Sequence, residues 1–379
     1  MMHICFITSE YPVPNQPHGG VGTFTQSIGR ELSRHGIEVS VIRLAPVKQE
    51  TVSDDHGVSV YLIPKSGGVP LAFLWNSARI RKTIVKIHAQ RPVSVVETPE
   101  LGLAFLNKIP GIKYVIRMHG GHHYFAKAEK RPLETRKVLQ EKWSFAKADA
   151  VAAVSRYVAE TTRELLQLGD RNIKVIYNPV DTTHFYKADP TKIIPHTIFF
   201  AGSLVEKKGI RQLVQAIDFL VDDFPDIQLN IAGRDGTIPG TKQSFRPVLE
   251  AAISDKSRPH IRFLGVVPHT EIPEFIEKAQ VCCYPSHMEA MPIAWLEVLG
   301  MGKVFLGSIT GPGPEAVLDG KTGFLVNPHE PEQIAAKIRY IFDHYDQALE
   351  MAASARARIL SEFNVETLVQ ENIAFYRSL

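Results

Sequence analysis

The amino-acid sequence predicts an α/β protein made of two doubly wound domains, and three observations carry that prediction. At 379 residues the chain is longer than one hydrophobic core usually sustains, so two domains of roughly 150 to 200 residues are expected. Short apolar runs alternate with stretches of helical period, the pattern of parallel sheets covered by helices. A polar segment with two prolines, "YKADPTKIIPH", divides that alternation into two series and reads as a linker.

Taken in order, "HICFITSEY" is a first strand, followed by Gly19, Gly20 and Gly22 in a glycine-rich loop. A helical pattern through "TFTQSIGRELSRHG" and the strand "IEVSVIRL" complete a βαβ unit. The runs "VSVVET" and "KYVIRMHG", then "DAVAAVS" and "IKVIYNPVD", extend a mostly parallel sheet, and the first domain is expected to span 1–187. The second, 188–362, has six strand candidates, "TIFFAGS", "IQLNIAG", "IRFLGVV", "VCCYPS", "VFLGS" and "GFLV", separated by helix-like segments. The stretches after residue 330 are helical by period and length. Open α/β sheets bind ligands outside the carboxyl ends of their strands, so a cleft between two facing sheets is the expected site.

Composition excludes several function classes. Hydrophobic residues make up 44% and charged residues 22%, with 43 Lys and Arg against 40 Asp and Glu for a net charge of +3, so nothing demands a nucleic-acid partner. Cys5, Cys282 and Cys283 all fall in apolar runs, and the adjacent pair cannot close an ordinary disulfide. They read as buried thiols of a reducing cytoplasm. No charged leader with an apolar core opens the chain and no apolar stretch approaches 18 residues, so neither secretion nor a membrane span is expected.

The motifs lie after strands. In "HGGVGTF" the glycines let backbone N–H groups approach an anion at a helix start, where the dipole favours negative charge; a turn serving only chain reversal is the alternative. The spacing is not that of a dinucleotide fingerprint and no acidic residue closes the second strand, which disfavours a dehydrogenase. His119 ends "KYVIRMHGG" beside two glycines, as a ligand contact or a satisfied structural histidine. His122 and His123 lack carboxylate or cysteine partners at metal-ligand spacing. Lys207, Lys208 and Gly209 stand between a strand and an amphipathic helix, where an ammonium opposes the dipole unless an anion such as a diphosphate is near; Lys207 reads as solvated. In "PSHMEAMPIAWLEVLGMGK", Pro292 suits the first helical turn. Glu289 then precedes the helix and Glu297 lies about five residues inside, so the two glutamates meet different parts of one elongated ligand rather than forming an acid/base pair. "TGPGPEAVLDGKTGFLV" places Glu315 among glycines in the same manner.

The ordered set "GGVGTFTQSIGREL", "HGG", "AVSRYV", "IYNPVD", "FFAGSLVEKKGI", "IAGRDG", "FLGVV", "EAMPIAWLE" and "GPGPEAVLDGKTGFLV" resembles the retaining glycosyltransferases of family four, the glycogen-synthase-like and mannosyltransferase-like group with the GT-B fold of two Rossmann-like domains facing across a cleft. The resemblance covers nearly the whole chain. It implies a nucleoside-diphosphate sugar as donor, held mainly by the second domain, with the acceptor approaching from the first. Glu297 would accept hydrogen bonds from the ribose, Glu289 would contact the donor sugar, and Lys208 would hold the diphosphate and stabilise the leaving group. Gly19 and Gly20 would present N–H groups to the phosphates and His119 would bond the sugar hydroxyl rim. Ala290, Met291 and Pro292 complete the donor segment. The catalytic set implied is His119, Lys208 and Glu289, with the anomeric configuration retained by front-face displacement.

No metal or other cofactor is implied, and the chain lacks an Asp-x-Asp pair of the kind that holds manganese elsewhere. Two departures stand out. Ser203 occupies the position where the family commonly has arginine, with Arg234 in "IAGRDG" as the compensating cation, and Lys303 replaces a proline. On the acceptor side, residues 125–147 carry seven basic against three acidic residues with interleaved aromatics, either a contact for a membrane surface or lipid-linked acceptor or a solvated helix face. The last helix, 363–379, resembles the family's segment that returns to the first domain. A cytoplasmic glycan-assembling transferase with a glycan, lipid-linked or small-molecule acceptor is the expectation. A non-hydrolysing sugar-nucleotide epimerase, a silent sugar-nucleotide binder and a pyridoxal-phosphate phosphorylase are the other readings, and the glutamate pair followed by "GPGPE" fits a transferase better than an epimerase.

Overall fold

The computed structural model describes residues 2–13, 19–68, 71–238 and 240–379. They form two compact units, Met1–Pro179 with Val365–Leu379, and Val180–Asn364. The first unit begins with β1 (His3–Thr8), α1 (Gly20–Arg34), β2 (Glu38–Ala45), the hairpin β3 (Thr51–Asp55) and β4 (Val58–Pro64), α2 (Ala72–Gln90), β5 (Val95–Thr98) and β6 (Lys113–Met118). It continues with α3 (His122–Ala128), α4 (Thr135–Lys147), β7 (Ala150–Ala153), α5 (Arg156–Leu166) and β8 (Ile173–Val175). The sheet order is β3-β4-β2-β1-β5-β6-β7-β8, parallel throughout except for β3 against β4. All six residues of β1 are buried, as expected of a strand with helices on both faces. The sequence pattern passed over the hairpin because β3 is polar and exposed. Its turn is a tight two-residue reversal in which His56 and Gly57 both adopt positive φ, 52° and 86°.

The second unit contains β9 (Thr197–Ala201), α6 (Ile210–Ile217), β10 (Gln228–Ala232), α7 (Arg246–Ala251), β11 (Ile261–Gly265), α8 (Ile272–Lys278) and β12 (Val281–Tyr284). After it come α9 (Ile293–Gly300), β13 (Phe305–Ser308), α10 (Gly313–Ala316), β14 (Phe324–Val326), α11 (Pro331–Asp343) and α12 (Tyr345–Arg358). All six predicted strands are present in one parallel sheet, ordered β11-β10-β9-β12-β13-β14. The segment read as a linker is tied to this unit: Ala188 N–H donates to Met301 O at 2.9 Å, Ile194 N–H to Lys278 O at 2.9 Å, and Lys192 pairs with Glu277 at 2.9 Å. The unit itself begins at Val180, eight residues before the expected 188, and Val180 N–H donates to Phe363 O at 2.9 Å. Lys303 is buried nearby, donating to Glu277 O at 3.0 Å, and burial lowers its pKa.

The final helix, α13 (Val365–Arg377), belongs to the first unit. It completes a buried network in which Arg117 on β6 donates to Glu97 on β5 at 2.6 and 3.1 Å and to Asn372 on α13 at 2.6 Å, while Tyr376 donates to Glu97 at 2.8 Å. Removing Arg117 or Glu97 would leave the other charge buried and uncompensated, at about 3–5 kcal/mol. The three cysteines are free and buried, and desolvation pushes Cys5 and Cys282 up to about 12.

Candidate active site

In the second unit the loops after β9, β12 and β13 are stitched together at the carboxyl ends of neighbouring strands. β9 and β12 flank the point where strand order reverses, the position where open α/β sheets hold ligands. His287 N–H donates to Lys207 O at 2.8 Å, and Thr310 Oγ1 donates to His287 O at 2.8 Å. Gly209 has φ 66°, and a Cβ there would stand 1.8 Å from Pro285 O, so only glycine permits this approach. The result sets Lys208 Nζ 2.5 Å from Glu289 Oε1, with both side chains largely shielded. Two residues read separately in the sequence, as a diphosphate cation and a sugar contact, form one ion pair.

Pro292 caps α9 rather than occupying its first turn, so Glu297 is the fifth helical residue, as its spacing implied. Ala290 and Met291 are buried, which leaves mainly their backbone groups for a ligand. Glu297 pairs with His269 at 2.9 Å. His269 lies 5.3 Å from the Phe185 ring and 5.5 Å from the His184 ring. Burial lowers the His269 pKa, but the Glu297 carboxylate outweighs it and the net shift is upward. Ser203 directly precedes Leu204, whose N–H donates to Arg234 O at 2.9 Å. The arginine therefore sits on the neighbouring chain segment, with an exposed side chain. Glu315 is the third residue of the short helix α10.

In the first unit, Gly19 caps α1 and Gly20 begins it. A Cβ on Gly19 would come within 2.7 Å of Glu10 Oε2, so a carboxylate already stands beside this helix start. His18, which opens the same motif, lies outside the described residues. His119 leaves β6 with its ring edge-on to Phe24 of α1, 5.0 Å between centroids. Burial, aided by Arg117, drives its pKa down to about 3, so the imidazole is neutral at physiological pH and acts as a hydrogen-bonding group. His122 accepts the Glu134 N–H at 3.0 Å and His123 contacts Glu141, so both have structural partners. Among the described residues no three His, Cys, Asp or Glu gather as a metal site.

Two family models match the chain: "Glycosyltransferase Family 4" over residues 18–184 and "Glycosyl transferases group 1" over 189–358. The chain belongs to the family 4 glycosyltransferases. Glycogen synthase of Mycobacterium tuberculosis is 24% identical to this glycosyltransferase over 408 aligned positions, covering 99% of this chain and 94% of the relative. Among solved structures, sucrose-phosphate synthase from Thermosynechococcus elongatus superposes with TM-score 0.85 at 18% identity, covering 100% of this chain and 99% of that one. Anabaena HepE in complex with UDP and glucose gives 0.78 at 19% identity, with complete coverage of both. The transferase has the GT-B fold, and among its described residues no helix is long and apolar enough to cross a membrane.

Sequence reasoning missed His269, which stands 28 positions before Glu297 in a loop with no motif spacing. It also missed Glu100 and Glu141 around His119. The adjacency of Glu100 to a strand end was the one signal available.

Proposed function

We propose that this glycosyltransferase moves a hexosyl group from a nucleoside-diphosphate sugar to a glycan, lipid-linked or small-molecule acceptor in the cytoplasm, with retention and without a metal ion. The observation that carries the reading is the Lys208–Glu289 pair at the β9/β12 switch point, 2.5 Å apart. A diphosphate entering there takes over the ammonium that Glu289 neutralises in the ligand-free protein, and the released carboxylate is then available to the sugar.

The reaction breaks the bond between the anomeric carbon and the leaving phosphate oxygen while the acceptor oxygen bonds from the same face. The acceptor proton passes to the leaving phosphate. Lys208 stabilises the charge developing there, a preorganised electrostatic role that a metal fills elsewhere. Arg234, one hydrogen bond from the Ser203–Leu204 segment, supplies the second cation that Ser203 does not. Glu297 takes the ribose hydroxyls, Gly19 and Gly20 present N–H groups to phosphate, and the neutral His119 bonds a sugar hydroxyl. The Anabaena relative solved with UDP-glucose and a starch synthase solved with ADP and acarbose support a sugar-nucleotide donor.

Steady-state kinetics separate these roles. A hydrogen bond to a charged group contributes about 1.5–3 kcal/mol, so its loss costs roughly ten- to a hundredfold. Glu297→Ala and Arg234→Ala should raise the donor KM by that factor with kcat little changed, and Glu289→Ala should lower kcat with KM little changed. Equal effects on both parameters in both glutamate variants would overturn the division. The anomeric coupling of the product by NMR, and turnover in excess EDTA, test retention and metal independence.

A further inference from the structure

We propose that Glu100 and Glu141 are positioning residues that set the orientation of His119 by suspending the His119–His123 loop from two buried carboxyl groups. The proposal rests on the reading of His119 as a donor-sugar contact.

Three elements of the first unit converge on this loop. Glu100, two residues beyond β5, accepts the His119 N–H at 2.6 Å. Glu141, midway along α4, accepts the N–H groups of His122 and His123, each at 3.1 Å, and its Oε2 also contacts His123 Nδ1. Gly121 lies between the two carboxyls: a Cβ there would fall 1.7 Å from Glu141 Oε1 and 3.1 Å from Glu100 Cγ. Glu100 is 4% and Glu141 0% exposed, and among the described residues neither has a Lys or Arg partner within ion-pair distance. Taking a carboxyl out of water this completely is costly, and a loop needing only chain reversal could satisfy its N–H groups from solvent. What the carboxyls provide is a fixed backbone where β6 ends. The His119 ring, held edge-on to Phe24, inherits that orientation.

The two groups are not equivalent. Burial, with a contribution from Glu141, pushes the Glu100 carboxyl up to about 8. At neutral pH it is largely protonated and holds the His119 N–H through a carbonyl-like oxygen, which a glutamine reproduces.

The test is a double-variant cycle at pH 7 with the sugar-nucleotide donor, reading kcat, donor KM and thermal stability. Glu100→Ala should lower kcat roughly ten- to a hundredfold, the range a misplaced reacting contact costs, with donor KM within about twofold. Glu100→Gln should restore kcat. In a His119→Ala background, Glu100→Ala should cause no further loss. Fully multiplicative losses, or a folded Glu100→Ala with unchanged kcat, overturn the proposal while leaving the His119 reading intact. A His119→Ala enzyme with normal kcat overturns that reading instead, and the positioning proposal with it. If Glu100→Ala does not fold, Glu141→Gln, which keeps the shape of the side chain, decides by the same cycle: losses that vanish in the His119→Ala background support the proposal, and additive losses or none sink it.

Discussion

His269 and Glu297 show what a single pair adds to a motif. The position of Glu297 within its helix was legible from Pro292 and the apolar run, because local spacing sets helix register. Its partner was not, because nothing local relates a loop histidine to a helix 28 residues away. If Glu297 takes the ribose as proposed, the pair should make donor binding pH-dependent. The Glu297 carboxylate raises the His269 pKa above its ordinary value near 6.5, so as pH falls through that raised value the imidazole becomes charged and holds the carboxylate proposed for the ribose. The groups facing the pair are His184, whose ring lies 5.5 Å from His269, and Tyr284, whose phenol is kept neutral by burial and the nearby thiols and Glu297. Donor KM should therefore rise as pH falls through that raised value, and the dependence should flatten in His269→Ala. The contribution to folding has the opposite sense: it is complete below about 6.5 and is lost as pH rises through the raised value. An acid limb of donor KM unchanged in His269→Ala would remove His269 from this role. The Lys208–Glu289 pair repeats the lesson, since each residue was legible but their 2.5 Å contact was not.

At the level of elements, apolar runs made most strands legible, β11 included although only Ile261 of it is buried, while the apolar run of β4 was passed over with its hairpin. β9 to β14 form a parallel sheet whose runs are apolar, whereas β3 is exposed and became a strand only through its turn and β4. Among helices, the basic run 125–147 was read without its neighbour. The structure places α4 beside α2: Phe73 lies 4.3 Å from Phe105, which lies 6.1 Å from Trp143, and Arg136 sits 4.7 Å above Phe73. Trp75 is 64% and Trp143 50% exposed, with Leu74 next to Trp75 and Leu139 one helical turn before Trp143 also exposed. Arg79, Arg81, Lys82 and Lys142 add exposed positive charge on the same two helices. Indole rings with surrounding cations suit an anionic lipid interface, where each basic residue near the surface adds about 1 kcal/mol. Vesicles containing phosphatidylglycerol should sediment more of the protein than phosphatidylcholine vesicles, and Trp75→Ala with Trp143→Ala should remove most of the difference. Equal sedimentation with both vesicle types would return this face to the solvated-helix reading.

At the level of the whole molecule, length and the break in the αβ alternation made two domains legible, whereas the second unit begins at Val180, ahead of the polar segment read as a linker. Residues 186–196 are polar on one side and hydrogen-bonded to the second unit on the other, and sequence shows only the first of these. The consequence concerns stability. The second unit is continuous, Val180–Asn364, and holds Lys208, Glu289 and Glu297, whereas the first is assembled from two segments. A nucleoside diphosphate gripped by Lys208 and Glu297 should therefore stabilise chiefly the second unit. At a hundred times its dissociation constant it adds about 2.7 kcal/mol, which for a unit of this size is a rise in Tm of roughly 5 to 11 °C. Calorimetry with UDP, GDP, ADP and TDP should show that rise for the base the site accepts, in EDTA as well as in magnesium. Glu297→Ala, with the ten- to hundredfold loss of affinity predicted above, should cut the stabilisation to about 0.4–1.4 kcal/mol at the same ligand concentration, and Glu289→Ala should keep it, because a bare diphosphate lacks the sugar that Glu289 is proposed to meet. An undiminished shift in Glu297→Ala would place the nucleotide elsewhere, and one that appears only with magnesium would overturn metal independence at the binding step.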